Sequence, residues 1–522
     1  MERLRSLTGS GLSRSREYLL LVLSGGCLAL AFPPVNLVPA AFIGLVPFFY
    51  VIRKTGATGF WSAFRPGLVA GAAFFGPLLY WLVFLSSQEM DNPILMSGPL
   101  LLLVLLQSFY WGLFSAGAIY VRDRLGAPDW LLLPVLWVAA EQLRSLFVLG
   151  FTWGALGHAG TALPRWVQFA SVTGVLGVSF WFAVVNALVL GLLLGRGRRR
   201  IAPALGIVAL LAVPWLQGGA VIGSAQPGPS VRVAVIQPNI SAEKKWDVRF
   251  KQMSFDVLRD LTFEAARQRP DLVVWPETAA PSYLLEEPED LALVADVARE
   301  ADVDILTGCP DLEVAPGEGR GALVYNAAVL VPSNGVVTDR YAKIHLVPFG
   351  EFVPFETVFP ILRRVDFGEA DFSAGERRVV FVTEKVRFSA LVCFESIFPR
   401  LARQFVRQGA ELLVNITNDV WYGRTSMPFQ HAGMAPMRAI ENRRSLARSA
   451  NSGVSLLCDP YGRVLDSLPI FERGYLVADL PVVMEQTFYT RHGDVFAWAV
   501  TAVAGLAFAA AWAAGRRARR RR

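Results

Sequence analysis

Charge is scarce in this chain. Only 18% of its 522 residues are Asp, Glu, Lys or Arg, where a soluble globular protein has about a quarter, and the mean hydropathy is +0.42. A wholly soluble protein is excluded, and the length points to more than one domain. Histidine and cysteine are scarcer still. The four histidines (His158, His345, His431, His492) are scattered, and the four cysteines (Cys27, Cys309, Cys393, Cys458) form no C-x-x-C pair. Zinc-type spacing and a P-loop are both missing, so metal or nucleotide chemistry has no support and no cofactor is expected. Cys309 and Cys458 read as structural, and a disulfide between them in an oxidising compartment stays open.

Apolar runs stand where charge is missing. Eight membrane spans are expected near 17–33, 36–52, 67–86, 94–121, 130–149, 166–195, 201–217 and 494–514, most of them near the roughly 20 residues that cross a bilayer as a helix. The first follows a basic stretch, as a cleaved leader would, but the spans after it favour an uncleaved helix. With the N-terminus in the cytoplasm, 19 arginines and lysines of the short loops and tails fall inside, among them Arg196, Arg198 to Arg200 and Arg519 to Arg522, and only Arg165 falls outside. That asymmetry sets the orientation and puts residues 218–493 outside the cytoplasm. Residues 220–491 hold 29 Lys+Arg and 35 Asp+Glu, a net −6, so the remaining 21 and 8 give +13 and the two parts make the chain's +7. The basic balance is therefore a topology signal and not a nucleic-acid footprint, despite the terminal "RRARRRR".

The charged part reads as an α/β domain over 231–490, entered through a Gly/Pro-rich linker at 218–230, after a membrane domain at 1–217. A last span and a basic tail fill 491–522. Short strands are expected at 231–240, 271–278, 303–308 and 411–417. Hairpins are expected at 322–346, turning at Ser333-Asn334-Gly335, and at 379–393. Helices are expected at 248–268, 288–301 and 430–448, and further strands in 453–480. About 260 residues can bury a sizeable core, and this alternation implies mixed sheets covered by helices.

Several polar residues sit just past strands, where α/β enzymes place chemistry. Glu277 follows "LVVWP". Lys343 and Glu351 lie in "YAKIHLVPFGEFVP". Cys393 ends the strand of "LVCFES". A lone cysteine after an apolar strand is ordinarily packing. A thiol nucleophile, however, needs a base for its proton and donors for an oxyanion, and Glu277 and Lys343 are of the right types.

The set "WPET", "YAKIHLVPFGEFVP" and "LVCFES", in that order, resembles the Glu–Lys–Cys triad of the nitrilase, or carbon–nitrogen hydrolase, superfamily, whose fold is an αββα sandwich. Placed between seven upstream spans and one downstream, and with "AVIQPNI" and "NDVWYG" alongside, it is similar to the apolipoprotein N-acyltransferase family over nearly the whole chain. Phe394 stands where that family would suggest Tyr, and "NDVWYG" replaces an "NDAWFG"-like run, departures that touch the pocket wall. The resemblance implies a two-step exchange in the bacterial inner membrane. Cys393 takes an acyl chain from a phospholipid, typically phosphatidylethanolamine, as a thioester. The N-terminal amine of a diacylglyceryl-cysteine apolipoprotein then takes it over. It further implies Glu277 as acid and base, Lys343 as oxyanion holder, Glu351 as its partner, and a monomer acting without cofactor or nucleic acid. A membrane-anchored amidase using water is the alternative. A transporter or receptor with an external sensing domain is a second one.

The remaining candidates have plain readings beside functional ones. Glu395 either supports the site or caps the next helix. Trp246, Trp421 and Tyr422 line an acyl pocket or fill core. His431 reads as a satisfied histidine at a helix start. Glu141 and Arg144, at i and i+3 within a span, form a structural pair or mark function. The run 350–368 carries Phe352, Phe355, Val358 and Phe359, and is either a lid on the core or an arm dipping into the membrane.

Overall fold

The computed structural model describes residues 14–56, 59–88, 97–146, 150–225, 228–241, 243, 248–314, 322–337, 339–353 and 372–520. Trp246, Phe355, Val358 and Phe359, and with them most of the 350–368 run, lie outside the described residues.

Among the described residues, twelve strands form two six-stranded sheets. The first holds β1 (Ser230–Gln237), β2 (Leu272–Val274), β3 (Asp304–Val314), β4 (Ala322–Val331) and β5 (Arg340–Ala342). The second holds β6 (Val380–Val382), β7 (Arg387–Val392), β8 (Leu412–Thr417), β9 (Ser445–Ala450), β10 (Ser455–Cys458) and β11 (Val464–Leu468). The last strand, β12 (Gly474–Pro481), returns to the first sheet, whose order is β12-β1-β2-β3-β4-β5; the second runs β11-β10-β9-β8-β7-β6. β1, β2 and β3 pair in parallel, as do β7, β8 and β9, and the outer strands pair antiparallel.

Side chains alternate across a strand, and the burial follows. Val231, Val233 and Val235 of β1 enter one apolar cluster with Val392 and Val414 of the second sheet, while Ala234 and Ile236 enter another with Phe255, Leu258 and Val294. The first cluster is the layer between the sheets. The second is the layer beneath helices Lys251–Ala266 and Pro288–Glu300. Helices Pro399–Arg407 and Met427–Asn442 cover the second sheet, so the layers run helix, sheet, sheet, helix. The hairpins expected at 322–346 and 379–393 are the pairs β4–β5 and β6–β7.

Five helical stretches among the described residues are long and apolar enough to cross a membrane: Phe60–Phe84, Ser97–Leu125, Val175–Leu194, Gly197–Gly223 and Val495–Arg520. The other three expected spans look different. The first is the 16-residue helix Arg14–Ala29, the second is broken into Pro39–Ile43 and Val46–Lys54, and the fifth is the 16-residue Asp129–Arg144. Sixteen residues rise about 24 Å, less than a typical hydrocarbon core of about 30 Å. Helices Phe60–Leu79 and Ser97–Leu125 approach so closely that a Cβ on Gly67 would overlap the carbonyl of Trp111.

Two expected boundaries are corrected. The run 166–195 is no single span: Gly174, at φ 68°, separates Ala170–Thr173 from Val175–Leu194. Hydropathy cannot distinguish lipid-facing from protein-facing apolar surface, and Gln168, in the upstream part, donates to the Tyr461 carbonyl at 2.8 Å. The helix expected at 430–448 ends at Asn442, because Arg443 turns left-handed at φ 53° and the chain continues as β9. Helix 201–223 also continues into the expected linker.

Candidate active site

Cys393 is where β7 turns into the 3-10 turn Cys393–Ile397. Its φ of 52° is left-handed, a conformation that costs a non-glycine residue about 1 kcal/mol or more and persists only where the surroundings hold it. Its carbonyl is the part held. His431 Nε2 lies at 3.0 Å, Ser396 Oγ donates at 3.2 Å and Asn415 Nδ2 at 3.4 Å. The thiol is nearly enclosed, 9% exposed. Burial pushes it well above its ordinary range, the charges of Glu277 and Asp419 add to this, and Lys343 pulls it back. The resting group is a neutral thiol within electrostatic reach of both Glu277 and Lys343.

Glu277 follows β2 in the opposite sheet. Gly308 on neighbouring β3 admits it: a Cβ there would sit 2.5 Å from Thr278 N and 2.7 Å from Glu277 Cα. Its two oxygens accept from Asn326 Nδ2 and from the Asn418 backbone N–H, both at 2.7 Å. Lys343, just past β5 and 1% exposed, places Nζ 2.8 Å from Glu351 Oε1 and 3.7 Å from Glu277 Oε1. Burial alone would drive its pKa down. The negative charge of Glu351 and its hydrogen bond, with the charge of Glu277, oppose burial, and the ammonium is held cationic. Asn326 Nδ2 also reaches Glu351 at 3.0 Å, so one amide ties the two carboxylates together.

Glu395 settles between its two readings by doing both. Oε2 accepts the Val392 N–H at 2.8 Å and caps the turn. Oε1 accepts from Tyr341 Oη at 2.8 Å and from the N–H groups of Ile344 and His345, at 2.8 and 3.0 Å. The carboxylate thereby fastens the Lys343 segment to the Cys393 turn. Burial raises its pKa, against the backbone donors.

Beneath the thiol lies a buried cluster that sequence reading missed. Cys393 Sγ, a carboxylate oxygen of Asp419 and a ring nitrogen of His431 lie within 4.8 Å of one another. Arg448 Nη2 is 2.8 Å from Asp419 and 3.1 Å from His431 Nδ1, and Arg448 also bonds Asn415. Burial opposes ionisation of Asp419, yet Arg448 and His431 hold it at about 2. Burial, with the Arg448 charge, keeps His431 below its ordinary range and so neutral. His431 is the satisfied histidine expected. Asn326, Asn415 and Arg448 carried no sequence signal, because each meets partners far away in the chain.

Aromatic residues from both parts of the protein meet around the turns that follow β7 and β8. Phe394 stacks near Phe151 with centroids 6.3 Å apart and meets Phe398 edge-on at 5.1 Å. Tyr422 meets Trp81 edge-on at 5.3 Å. Trp421 is half-buried in the same turn. Phe352 lies in the turn after Lys343, accepting from the Phe349 N–H at 2.8 Å. Glu141 and Arg144 form no mutual ion pair among the described residues. Glu141 accepts the Leu156 N–H at 2.8 Å, and Arg144 donates to the Trp153 carbonyl at 2.6 Å. Cys309 and Cys458 are buried free thiols in different sheets, so the disulfide left open does not form.

Two stacked mixed sheets under helices, with a cysteine at a strand-to-turn elbow beside a glutamate and a lysine, define a protein of the carbon–nitrogen hydrolase fold. Residues 232–489 match the family described as carbon-nitrogen hydrolase, and residues 24–188 match the apolipoprotein N-acyltransferase N-terminal domain. An apolipoprotein N-acyltransferase of Geobacter metallireducens is 37% identical over 94% of this chain and 95% of its own. One of Chlorobaculum tepidum is 35% identical over 94% and 96%. An amidase structure from Nesterenkonia sp. is 22% identical, covering 53% of this chain and 95% of its own, with a TM-score of 0.37. The chain belongs to the apolipoprotein N-acyltransferase family.

Proposed function

We propose that this protein moves a fatty acyl chain from a membrane phospholipid to the N-terminal amine of diacylglyceryl-cysteine apolipoproteins, through a thioester at Cys393. The observation that carries the reading is the neutral, enclosed Cys393 thiol held by an elbow between a cationic lysine and a glutamate whose two oxygens are fixed by Asn326 and the Asn418 N–H. Sulfur attacks the ester carbonyl carbon as its proton passes to Glu277. Negative charge on the carbonyl oxygen is met by Lys343 and a backbone N–H of the turn after Cys393. The intermediate collapses, Glu277 returns the proton to the leaving alkoxide, and a lysophospholipid departs. The acceptor amine then attacks the thioester carbon as Glu277 takes its proton, the C–S bond breaks to leave the amide, and Glu277 passes the proton to the departing sulfur, which regenerates the thiol. Glu351 and Asn326 keep Lys343 and Glu277 in register, and Phe394 and Tyr422 line the acyl path together with Phe151 and Trp81.

The setting proposed is the bacterial inner membrane, with eight spans, cytoplasmic termini and the 231–490 domain outside. The donor is phosphatidylethanolamine and the protein acts as a monomer. The domain limits are those of 1–217, 218–230, 231–490 and 491–522. Full-length likeness to N-acyltransferases, membrane part included, counts against the amidase alternative. The intact mass of protein purified from membranes tests the reading. An added fatty acyl group that maps to Cys393 and is discharged by an apolipoprotein amine supports it. Release of free fatty acid to water, with no amide product, would replace it with the amidase.

A further inference from the structure

Ile397 closes the turn that begins at Cys393. Its carbonyl accepts two hydrogen bonds from outside that turn, both of 3.1 Å. One comes from Thr152 Oγ1, in the segment between helices Asp129–Arg144 and Val175–Leu194, and the other from Arg438 Nη1. Arg438 is fully buried, and its Nε lies 2.8 Å from Glu441 Oε2, with neither side chain exposed. Glu441 Oε1 in turn accepts the backbone N–H of Val175 at 2.9 Å, the first residue of the apolar helix Val175–Leu194. A continuous polar path therefore joins the start of that helix to the carbonyl that closes the nucleophile turn. Neither Arg438 nor Glu441 is among the groups assigned to proton transfer or oxyanion binding.

A buried ion pair is a poor way to gain stability, since apolar residues of similar volume serve as well or better. What it supplies is fixed geometry, and the arginine fork suits this because it engages two partners in one rigid plane. The Thr152 bond brings a second segment of the membrane part to the same oxygen, four residues from the thiol. We propose that Arg438 is a positioning residue for acyl transfer, holding with Glu441 the Cys393 turn in register with the start of helix Val175–Leu194. The proposal rests on the acyl-enzyme reading above for its kinetic readout.

The test uses the full-length protein in detergent or vesicles. Arg438→Met/Glu441→Gln removes both charges and leaves an acceptor for the Val175 N–H, so no buried charge is stranded. Single-turnover acylation of Cys393 should slow by about 10- to 100-fold, the scale of a misplacement of about 1 Å. The KM for the acyl donor should hardly move. Iodoacetamide modification of Cys393, read by peptide mass, should slow in parallel. Arg438→Lys, which can engage one partner at a time, should fall between the two. A folded double variant with wild-type acylation and alkylation rates would overturn the proposal. Should the double variant not fold, wild-type rates in Arg438→Lys overturn it. Slowed alkylation in a protein that never forms an acyl-enzyme would leave the positioning role standing and remove the transfer reading instead.

Discussion

Glu395 offers the sharpest quantitative test of how the site is assembled, because four donors converge on one buried carboxylate. Glu395→Leu keeps most of the volume and removes every acceptor. The Val392 N–H and the Tyr341 hydroxyl are enclosed. Ile344 and His345 are only half-buried, so water can partly replace their lost bonds. At about 1–3 kcal/mol for each enclosed donor and about 1 for each half-open one, the loss is about 4–8 kcal/mol. That is a large share of the roughly 5–15 kcal/mol that keeps a domain folded, and the Leu variant should be recovered poorly from membranes. Glu395→Gln is the informative partner. Its oxygen can still serve Tyr341, Ile344 and His345, but its amide nitrogen then faces the Val392 N–H. One enclosed bond is lost, about 1–3 kcal/mol, which for a domain of this size lowers the melting temperature by about 2–4 °C per kcal/mol. Thioester formation should fall further than stability does, because Val392 precedes the thiol and Ile344 follows Lys343. The assay pairs thermal unfolding in detergent with single-turnover acylation. A Leu variant that melts like the wild type would refute the reasoning, since four buried donors cannot lose their acceptor at no cost.

Four further outcomes are expected. Cys393→Ala, and Cys393→Ser nearly as much, should abolish transfer in a protein that still folds and inserts, checked by N-acylation of an apolipoprotein peptide; wild-type-like product from the Ala variant would sink the assignment. Glu277→Gln and Lys343→Ala should each block thioester formation, the latter by removing an oxyanion donor of about 2.7–4 kcal/mol, and normal accumulation of acyl-enzyme in either would show its role to be wrong. Asn326→Leu should uncouple Glu277 from Glu351 and slow acylation by about 10-fold or more, on the roughly 1–3 kcal/mol cost of a broken buried hydrogen bond, with donor KM unchanged. Glu441, faced by Arg438 on its own helix, by Asp494 and Tyr489 from the C-terminal segment and by the Val175 N–H, is raised by burial from 4.5 to about 7 despite Arg438. The folded state therefore holds that proton more tightly than the unfolded state, so its stabilisation is complete below about pH 4.5 and is lost as pH rises to about 7, an effect of about 3 kcal/mol. Glu441→Gln should flatten that part of the stability profile, and an unchanged slope would assign it to another group.

The parts of the site that were legible in the sequence are those set by strand ends. "LVVWPET" and "LVCFES" each show an apolar run stopping at a polar residue, and in a stacked pair of mixed sheets those stops lie at one edge. Those stops make Glu277 and Cys393 candidates, and the resemblance of "WPET", "YAKIHLVPFGEFVP" and "LVCFES" to the nitrilase order singles them out together with Lys343 and Glu351. Asn326 could not. It lies within β4, in "LVYNAAVLV", where it looks like an interruption of the strand, and its partners Glu277 and Glu351 approach only when β4 docks beside β3 and the Lys343 turn folds over. Arg448 was hidden for a similar reason. It sits in a stretch of mixed small and basic residues that reads as the end of a helix, yet in β9 it is fully buried between Asn415 and Asp419. In the membrane part, length and hydropathy found the long helices, but the break at Gly174 depends on a left-handed backbone and on partners in the sandwich, and neither affects hydropathy.

Those partners are distributed unevenly, and this bears on how a lipid substrate is handled. Trp153 and the Leu78 carbonyl bond Gln430, Tyr80 meets the Ser426 N–H, Gln168 bonds both Tyr461 and Arg443, Thr152 bonds Ile397, and Val175 bonds Glu441. Every one of these ties lands on the Cys393 turn, on helix Met427–Asn442 and the residues that flank it, or on the β10–β11 turn, all on the side of the second sheet. Cys393, the proposed nucleophile, is thus carried by the sheet that is fastened to the long apolar helices, while Glu277 and Lys343 are carried by the other sheet. On the proposed membrane setting, a thiol fixed to those helices can meet an ester that sits at one depth in the bilayer. The segment after Lys343 is held to the nucleophile turn chiefly by Glu395. If exchange of lysophospholipid for apolipoprotein requires that segment to move, Glu395→Gln should speed product release even as it slows acylation, and the two half-reactions measured separately should respond in opposite directions.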